Sequence, residues 1–340
     1  MIISCRIDVM KNGAKYSELL IEKKTVPSIN MRNQQDIKME LKVSFKNNDD
    51  IDFLNDRFIP YLILNGQEHQ LGTYIAATAA KKKTEHVSRS MTAYDLTYLA
   101  RISKIETPLS ISLGSKYTDV IREQLVLSGI TDFNIVASPM AVKEIREDWE
   151  PGENRLAIIN ELLKEINYNS LWMDLNGVVQ VTPYNRPTIE NVTQIYQANE
   201  YSILYQEHEQ DFDIFERPNV FRLVCENPEK TLMVATSVNN DPASIISTIN
   251  TGRRILYTEK LNNVADQSTL QNLADKVKFE SLLSKETTEI QTGPNPTHRC
   301  FDIVVLQKDD IDGIFEESEW TINLGGTGAM KHKLRRLLLY

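Results

Sequence analysis

The side chains best suited to metal binding or acid–base chemistry are five histidines, three cysteines and 47 acidic residues in a chain of 340. Two histidines hold a metal most simply when one helical turn brings both rings to one face. His69, His86, His208, His298 and His332 are dispersed, and no two stand four apart on a plausible helix. Asp148, Glu150, Glu207, Glu209, Asp211 and Asp213 are numerous enough to supply a paired-carboxylate site of the glycosidase kind. That chemistry depends on a separation in space that sequence does not show, and solvated surface acids are far commoner. The chain contains no G-x-S-x-G, phosphate-loop, H-E-x-x-H or C-x-x-C motif. Gly325-Gly326-Thr327-Gly328 could offer amides to an anion, but no helix clearly starts there and the phosphate-loop Lys is missing, so a strand-linking loop is expected. The expectation is therefore no catalytic residue, no cofactor-binding residue and no metal ligand.

Cys5, Cys225 and Cys300 are too few and too far apart for a disulfide framework, and read as buried free thiols of a reducing compartment. The opening MIISCRIDVM is apolar only briefly, because Arg6 and Asp8 interrupt it, so neither a secretory segment nor a membrane span is expected. A formal charge of −9 argues against a sequence-independent grip on DNA, since such binding depends on Lys and Arg. Two basic runs stand out. Lys81-Lys82-Lys83 reads as an exposed loop between strands, and Lys331-His332-Lys333 with Arg335-Arg336 lies among Leu334, Leu337, Leu338 and Leu339. For the second run, docking onto the chain's own core and docking onto a partner both remain open. Trp149, Trp172 and Trp320 adjoin expected regular structure and are assigned to packing, with an exposed aromatic interface as the sharper possibility.

The elements that would position these groups follow from periodicity. Ile3, Cys5, Ile7 and Val9 alternate with polar residues, as do Met39, Leu41, Val43 and Phe45, so the stretch to about Ile105 reads as antiparallel sheet or barrel. Asn12-Gly13 and Asn65-Gly66 supply hairpin turns. Between Pro108 and Pro187 the spacing predicts a helix over 116–128, capped by Ser115 and ended by Gly129, then a strand over 133–137. A second helix carries Leu156, Ile159, Leu162, Leu163 and Ile166 on one face, starts after Pro151-Gly152 and stops at Asn167 and Asn169. It feeds a hairpin turned by Asn176-Gly177, with both turn residues at φ > 0. Beyond Tyr201, strands are predicted over 219–225, 232–238, 254–258, 299–306, 313–317 and 320–324. One helix through Leu270, Leu273, Ala274 and Val277, capped by Asp266 or Ser268, interrupts them. The order is β, then α/β, then β with one helix. At 340 residues, two or three subdomains are expected.

The segment LAIINELLKEINYNSLWMDLNGVVQVTPYNRP resembles the α/β part of phage tail hub proteins, a family related to the tube-forming hub of contractile tails and VgrG-type spikes. RPNVFRLVCEN, NNDPASIISTINTGRR, TLQNLADKVKFE, HRCFDIVVL and SEWTINLGGTGAMKHKLRRL resemble, in that order, the second half of such hubs, and LGTYIAATAAKKKTEHVSRSMTAYDLTYLA resembles part of the first. The likeness covers most of the chain and rests on the order of turns and apolar positions. It implies an α+β fold of two antiparallel β-barrel-like tube domains, at 1–107 and 188–340, with an intervening α/β domain at 108–187. It further implies a structural, non-enzymatic hub at a tail tip or baseplate, a homotrimer whose ring joins a sixfold tube to a threefold tip. Implied partners are distal tail or tail-tube proteins, the tape measure protein, spike, fibre or lysin proteins, and DNA in transit through an acidic lumen, with no stable membrane insertion. The implied location is the virion tail, assembled in the bacterial host cytoplasm. Because the chain stops at Tyr340, the long fibre or hydrolase region that follows many siphophage hubs is not implied. Two other readings stand beside this one: the N-terminal hub module of a tail-associated peptidoglycan hydrolase, and a baseplate carbohydrate-binding receptor module that would use the tryptophans.

Overall fold

The computed structural model describes residues 2–337 apart from 24, 47–49, 84–86, 144–147, 199–208, 213–216, 227–231, 284–285, 309–310 and 327. His86, His208, Glu207, Asp213, Thr327, Leu338 and Leu339 thus lie outside the described residues.

In the first third, the alternating segments form strands β1 (Ile3–Lys11), β2 (Ala14–Glu18), β3 (Ser28–Arg32), β4 (Met39–Lys46), β5 (Arg57–Leu64), β6 (Gln67–Gln70), β7 (Tyr74–Lys83) and β8 (Val87–Asp95). The two early Asn-Gly pairs make the tight turns expected of them. Lys11 pairs with Ala14 and Leu64 with Gln67, while Asn12, Gly13, Asn65 and Gly66 all take positive φ. Lys81–Lys83 does not form the predicted loop. It continues β7 in register with Val87–Arg89 of β8, so backbone pairing extends the strand through a basic run. A short helix, α1 (Thr97–Ile102), follows β8, and alternation gave no sign of it. The Asp95 carboxylate sets it up by accepting from the Thr97 amide at 2.9 Å while its other oxygen accepts from Met39 N at 2.8 Å.

The middle third holds α2 (Tyr117–Leu127), β9 (Phe133–Ile135), α3 (Arg155–Glu165), β10 (Trp172–Met173) and β11 (Val179–Val181). Leu156, Ile159, Leu162, Leu163 and Ile166 are all buried, as their spacing requires. Asn154 caps α3 by accepting from Ala157 N at 2.9 Å, and Asn167 ends it at φ +55°. Ser115 does not cap α2. Lys116 occupies that position with no side-chain bond, while the Ser115 carbonyl is already engaged by Val142 N. The third Asn-Gly pair also departs from expectation, since Asn176 keeps negative φ and only Gly177 is left-handed, at +84°. The reason is Asp174, whose Oδ1 accepts from both Asn176 N and Val178 N and so closes a longer turn.

The last third contains β12 (Val192–Gln197), β13 (Glu209–Phe212), β14 (Val220–Cys225), β15 (Met233–Val238), α4 (Thr248–Thr251), β16 (Leu256–Leu261), α5 (Gln267–Leu283), β17 (Glu286–Thr292), β18 (Ile303–Lys308), β19 (Ile311–Asn323) and β20 (Met330–Leu337). Of the two candidate caps of α5, Asp266 acts, accepting from Thr269 N at 2.9 Å. The two strands predicted over 313–317 and 320–324 are one, β19, broken by a bulge between Glu317 and Glu319. The C-terminal basic run was not predicted as regular structure. It forms β20, paired on both sides, and Leu334 and Leu337 are buried in the chain's own core.

Fourteen strands make one sheet, with a main path of β13-β17-β20-β19-β3-β4-β8-β7-β5-β1-β2, β12 and β18 branching from β19 and β6 from β5. The decisive pairing is β19 with β3, which places Trp320 against Met31 and joins the two ends of the chain. The sheet-rich α+β class is as expected. Closed barrels are not, since the path runs from β2 to β13 without returning on itself among the described residues. Strands β15-β14-β16 stand apart as a small sheet packed on α5 through Leu223, Cys225, Ala235, Leu270, Leu273 and Ala274. Among the described residues no helix is long and apolar enough to cross a membrane.

Candidate functional site

Two of the dispersed histidines meet. His332 lies on β20 in the inward phase set by Met330 and Leu334, while His298 comes from the segment between β17 and β18. Between them stands Glu317, turned into the sheet beside the β19 bulge and fully buried. Nδ1 of His332 lies 3.0 Å from the Glu317 carboxylate, and Nδ1 of His298 lies 3.4 Å from the same oxygen. The three ligand atoms fall within 4.8 Å of one another. Asp302, also buried, has its carboxylate 3.2 Å from Nδ1 of His298.

The outer nitrogens of both rings face hydroxyl groups. Nε2 of His298 is 2.5 Å from the Tyr196 hydroxyl on β12, and Nε2 of His332 is 2.8 Å from Thr292 Oγ1 on β17. The His298 and Tyr196 rings stack at 5.9 Å, and the two imidazoles sit 5.0 Å apart. Burial disfavours charge on Glu317 and His332. It pushes the Glu317 carboxyl up to about 8, against a smaller opposing pull from His298, and pushes His332 down to about 3. Nδ1 of His298 makes no hydrogen bond despite its burial.

Sequence reading missed this arrangement. It set the histidines aside for lack of helical spacing and did not single out Glu317 or Asp302. The available signal was phase: His332 occupies an inward position in a strand whose neighbours at that phase are apolar. The acids it did name are elsewhere. Asp148 and Glu150 are exposed on either side of Trp149, and Glu209 and Asp211 belong to β13 at the sheet edge.

The tryptophans are mainly structural. Trp320 is buried, Trp149 donates to Glu161 at 2.7 Å, and Trp172 packs edge-on against Phe301 at 6.0 Å. Gly325, Gly326 and Gly328 link β19 to β20, as a strand-connecting loop should. An open groove of about 720 Å³ beside α5 is lined by Arg186, Lys276 and Lys278 together with Asp241 and Asp275, and two of its cations pack against aromatic faces, Lys276 over the Tyr184 ring and Arg186 over Phe279. Apolar side chains remain uncovered on and beside the small sheet, where Ile245, Ile249 and Leu256 are each more than half exposed.

No family model matches the chain, and no curated protein matches it in sequence. Solved structures do match in fold. The tail protein of Neisseria meningitidis MC58 is 14% identical over 98% of this chain and 97% of its own, with a TM-score of 0.67. The 43 kDa tail protein of prophage MuSo2 from Shewanella oneidensis is 12% identical over 98% of both chains, with a TM-score of 0.63. The E. coli c3393 protein, a type VI secretion component with structural similarity to the T4 tail proteins gp27 and gp5, is 7% identical over 97% of this chain and 77% of its own, at a TM-score of 0.55. The chain therefore has the fold of phage and prophage tail proteins and of a related type VI secretion component.

Proposed function

We propose that this chain is a structural hub at the tip of a phage or phage-like tail. Three copies form a ring that joins a sixfold tail tube to a threefold tip and lets DNA pass, with no catalytic site of the chain's own. Residues 1–107 and 188–340 supply the two tube-forming units of each copy, and 108–187 the α/β unit between them. The observation that carries this reading is the likeness in fold to tail proteins over nearly the whole of both chains. The sheet adds support. Among the described residues its main path ends at β2 and β13, edges that a neighbouring copy can extend, and head-to-tail association whose rotation closes makes a ring. A formal charge of −9 suits a lumen that does not retain DNA. Its neighbours in the virion tail are distal tail or tube proteins, the tape measure protein, and spike, fibre or lysin proteins, after assembly in the host cytoplasm.

Light scattering with negative-stain imaging of the purified chain, alone and mixed with its tail-tube partner, tests this. Threefold rings with an open channel are expected. A stable dimer that the partner does not convert would overturn the reading.

A further inference from the structure

The buried pair of histidines and its carboxylate make a geometry that hydrogen bonding alone leaves incomplete. Both imidazoles turn the same nitrogen, Nδ1, toward Glu317, and both have a hydroxyl oxygen at Nε2. A metal bound at Nδ1 requires the proton on Nε2, where the Tyr196 and Thr292 oxygens stand ready to accept it; this is the outer-shell arrangement that orients ligating histidines. Nδ1 of His298, which makes no hydrogen bond and stands 3.2 and 3.4 Å from the Asp302 and Glu317 carboxylates, belongs to a side chain that is 1% exposed. In a tetrahedral zinc site with bonds of about 2.0–2.1 Å, neighbouring ligand atoms stand roughly 3.3 Å apart. The separations here are 3.0 and 3.4 Å from Glu317 to the two nitrogens. Closing all three atoms onto one ion takes shifts on the order of 1 Å.

We propose that His298, His332 and Glu317 bind one divalent transition-metal ion of the zinc type, a structural site buried within the sheet. Asp302 stands beside the ion, so two neutral imidazoles and two carboxylates balance its charge in a setting where an unpaired charge is costly. The nitrogen and oxygen donor set suits zinc better than the softer ions that select thiolate, or the calcium and magnesium that select oxygen alone. The site would fasten the segment between β17 and β18 to β19 and β20, next to the β19–β3 pairing that joins the two ends of the chain. It stands independently of the hub assignment, because its ligands all come from one copy.

The test uses the full chain, stripped with chelator and reloaded with Zn²⁺ alone. One zinc per chain retained through gel filtration is expected, with a melting temperature raised by on the order of 5 °C. X-ray absorption of the loaded wild-type chain should show two imidazoles and carboxylate oxygen around the ion. H332Q and E317Q should weaken binding at least a hundredfold, whereas H69Q, which alters a histidine outside the cluster, should leave it unchanged. Failure to bind Zn²⁺, Co²⁺ or Mn²⁺ stoichiometrically in a folded chain would overturn the proposal. So would zinc retained by folded H332Q, or a coordination shell without two imidazoles. If a variant does not fold, the absorption spectrum of the wild-type chain decides alone.

Discussion

Asn33 Nδ2 donates to the backbone carbonyl of Glu317 at 2.6 Å, across 284 positions of sequence. The same side chain accepts from Phe301 N at 3.2 Å, and the Asn33 amide donates to Ser318 O at 2.9 Å. One buried amide from the first third thus holds both the β19 bulge and the segment leading to β18.

Replacing it, Asn33→Ala, leaves a buried carbonyl and a part-buried amide without their partner. The expected loss is about 2–4 kcal/mol of unfolding free energy, since each orphaned group costs about 1–3 kcal/mol. Urea denaturation at fixed chain concentration measures it, and a loss below about 1 kcal/mol would show that solvent satisfies both groups.

The Asn-Gly turns should respond unequally to alanine. Gly66 has φ +87° and open space where a Cβ would go, so Gly66→Ala should cost about 1 kcal/mol from backbone conformation alone. At Gly177 a Cβ would collide with Thr73 Oγ1 and come within 2.9 Å of Thr73 Cβ. Gly177→Ala should cost about 2–4 kcal/mol, conformation and overpacking together. Thermal unfolding of Gly177→Ala with and without Thr73→Gly separates the two terms: the second change should recover the overpacking part only.

The thiols should be inert in the native state. Burial pushes Cys300 up to about 12 and Cys5 up to about 11, from an ordinary value of 9.0. Only the thiolate reacts. At pH 8 both should therefore alkylate at least tenfold more slowly than in the urea-unfolded chain, read by peptide mass spectrometry after iodoacetamide. The raised values also fix the sign of the linkage. The neutral thiols stabilise the fold fully below pH 9, and that contribution is lost as pH rises through 11 and 12. A native Cys300 that labels at the unfolded rate at pH 8 would refute this.

The uncovered face should matter for assembly and not for folding. Leu256 is 57% exposed and borders Val220, Arg222 and Val234 on the side of the small sheet away from α5. Leu256→Glu should change stability by no more than about 0.5 kcal/mol, as surface substitutions usually do. If this face is an interface of the hub, the same variant should shift sedimentation toward the single chain. Unchanged assembly would place the interface elsewhere.

The sequence alone determined what depends on neighbours along the chain. Asn12-Gly13 and Asn65-Gly66 turned as read because a two-residue loop needs only its own φ values. The apolar stripe of α3 was equally legible, since 3.6-residue periodicity puts Leu156, Ile159 and Leu163 on one face whatever they pack against. At Asn176-Gly177 that logic failed, because Asp174 offered the backbone amides a better partner. Tertiary structure alone decided that β19 pairs with β3, that the main sheet runs on from one third of the chain to the last, and that His298 and His332 meet at Glu317. Alternation marks a strand and its buried face, but every strand offers the same backbone donors and acceptors. Which strand it joins is settled by the packing of side chains far apart in sequence.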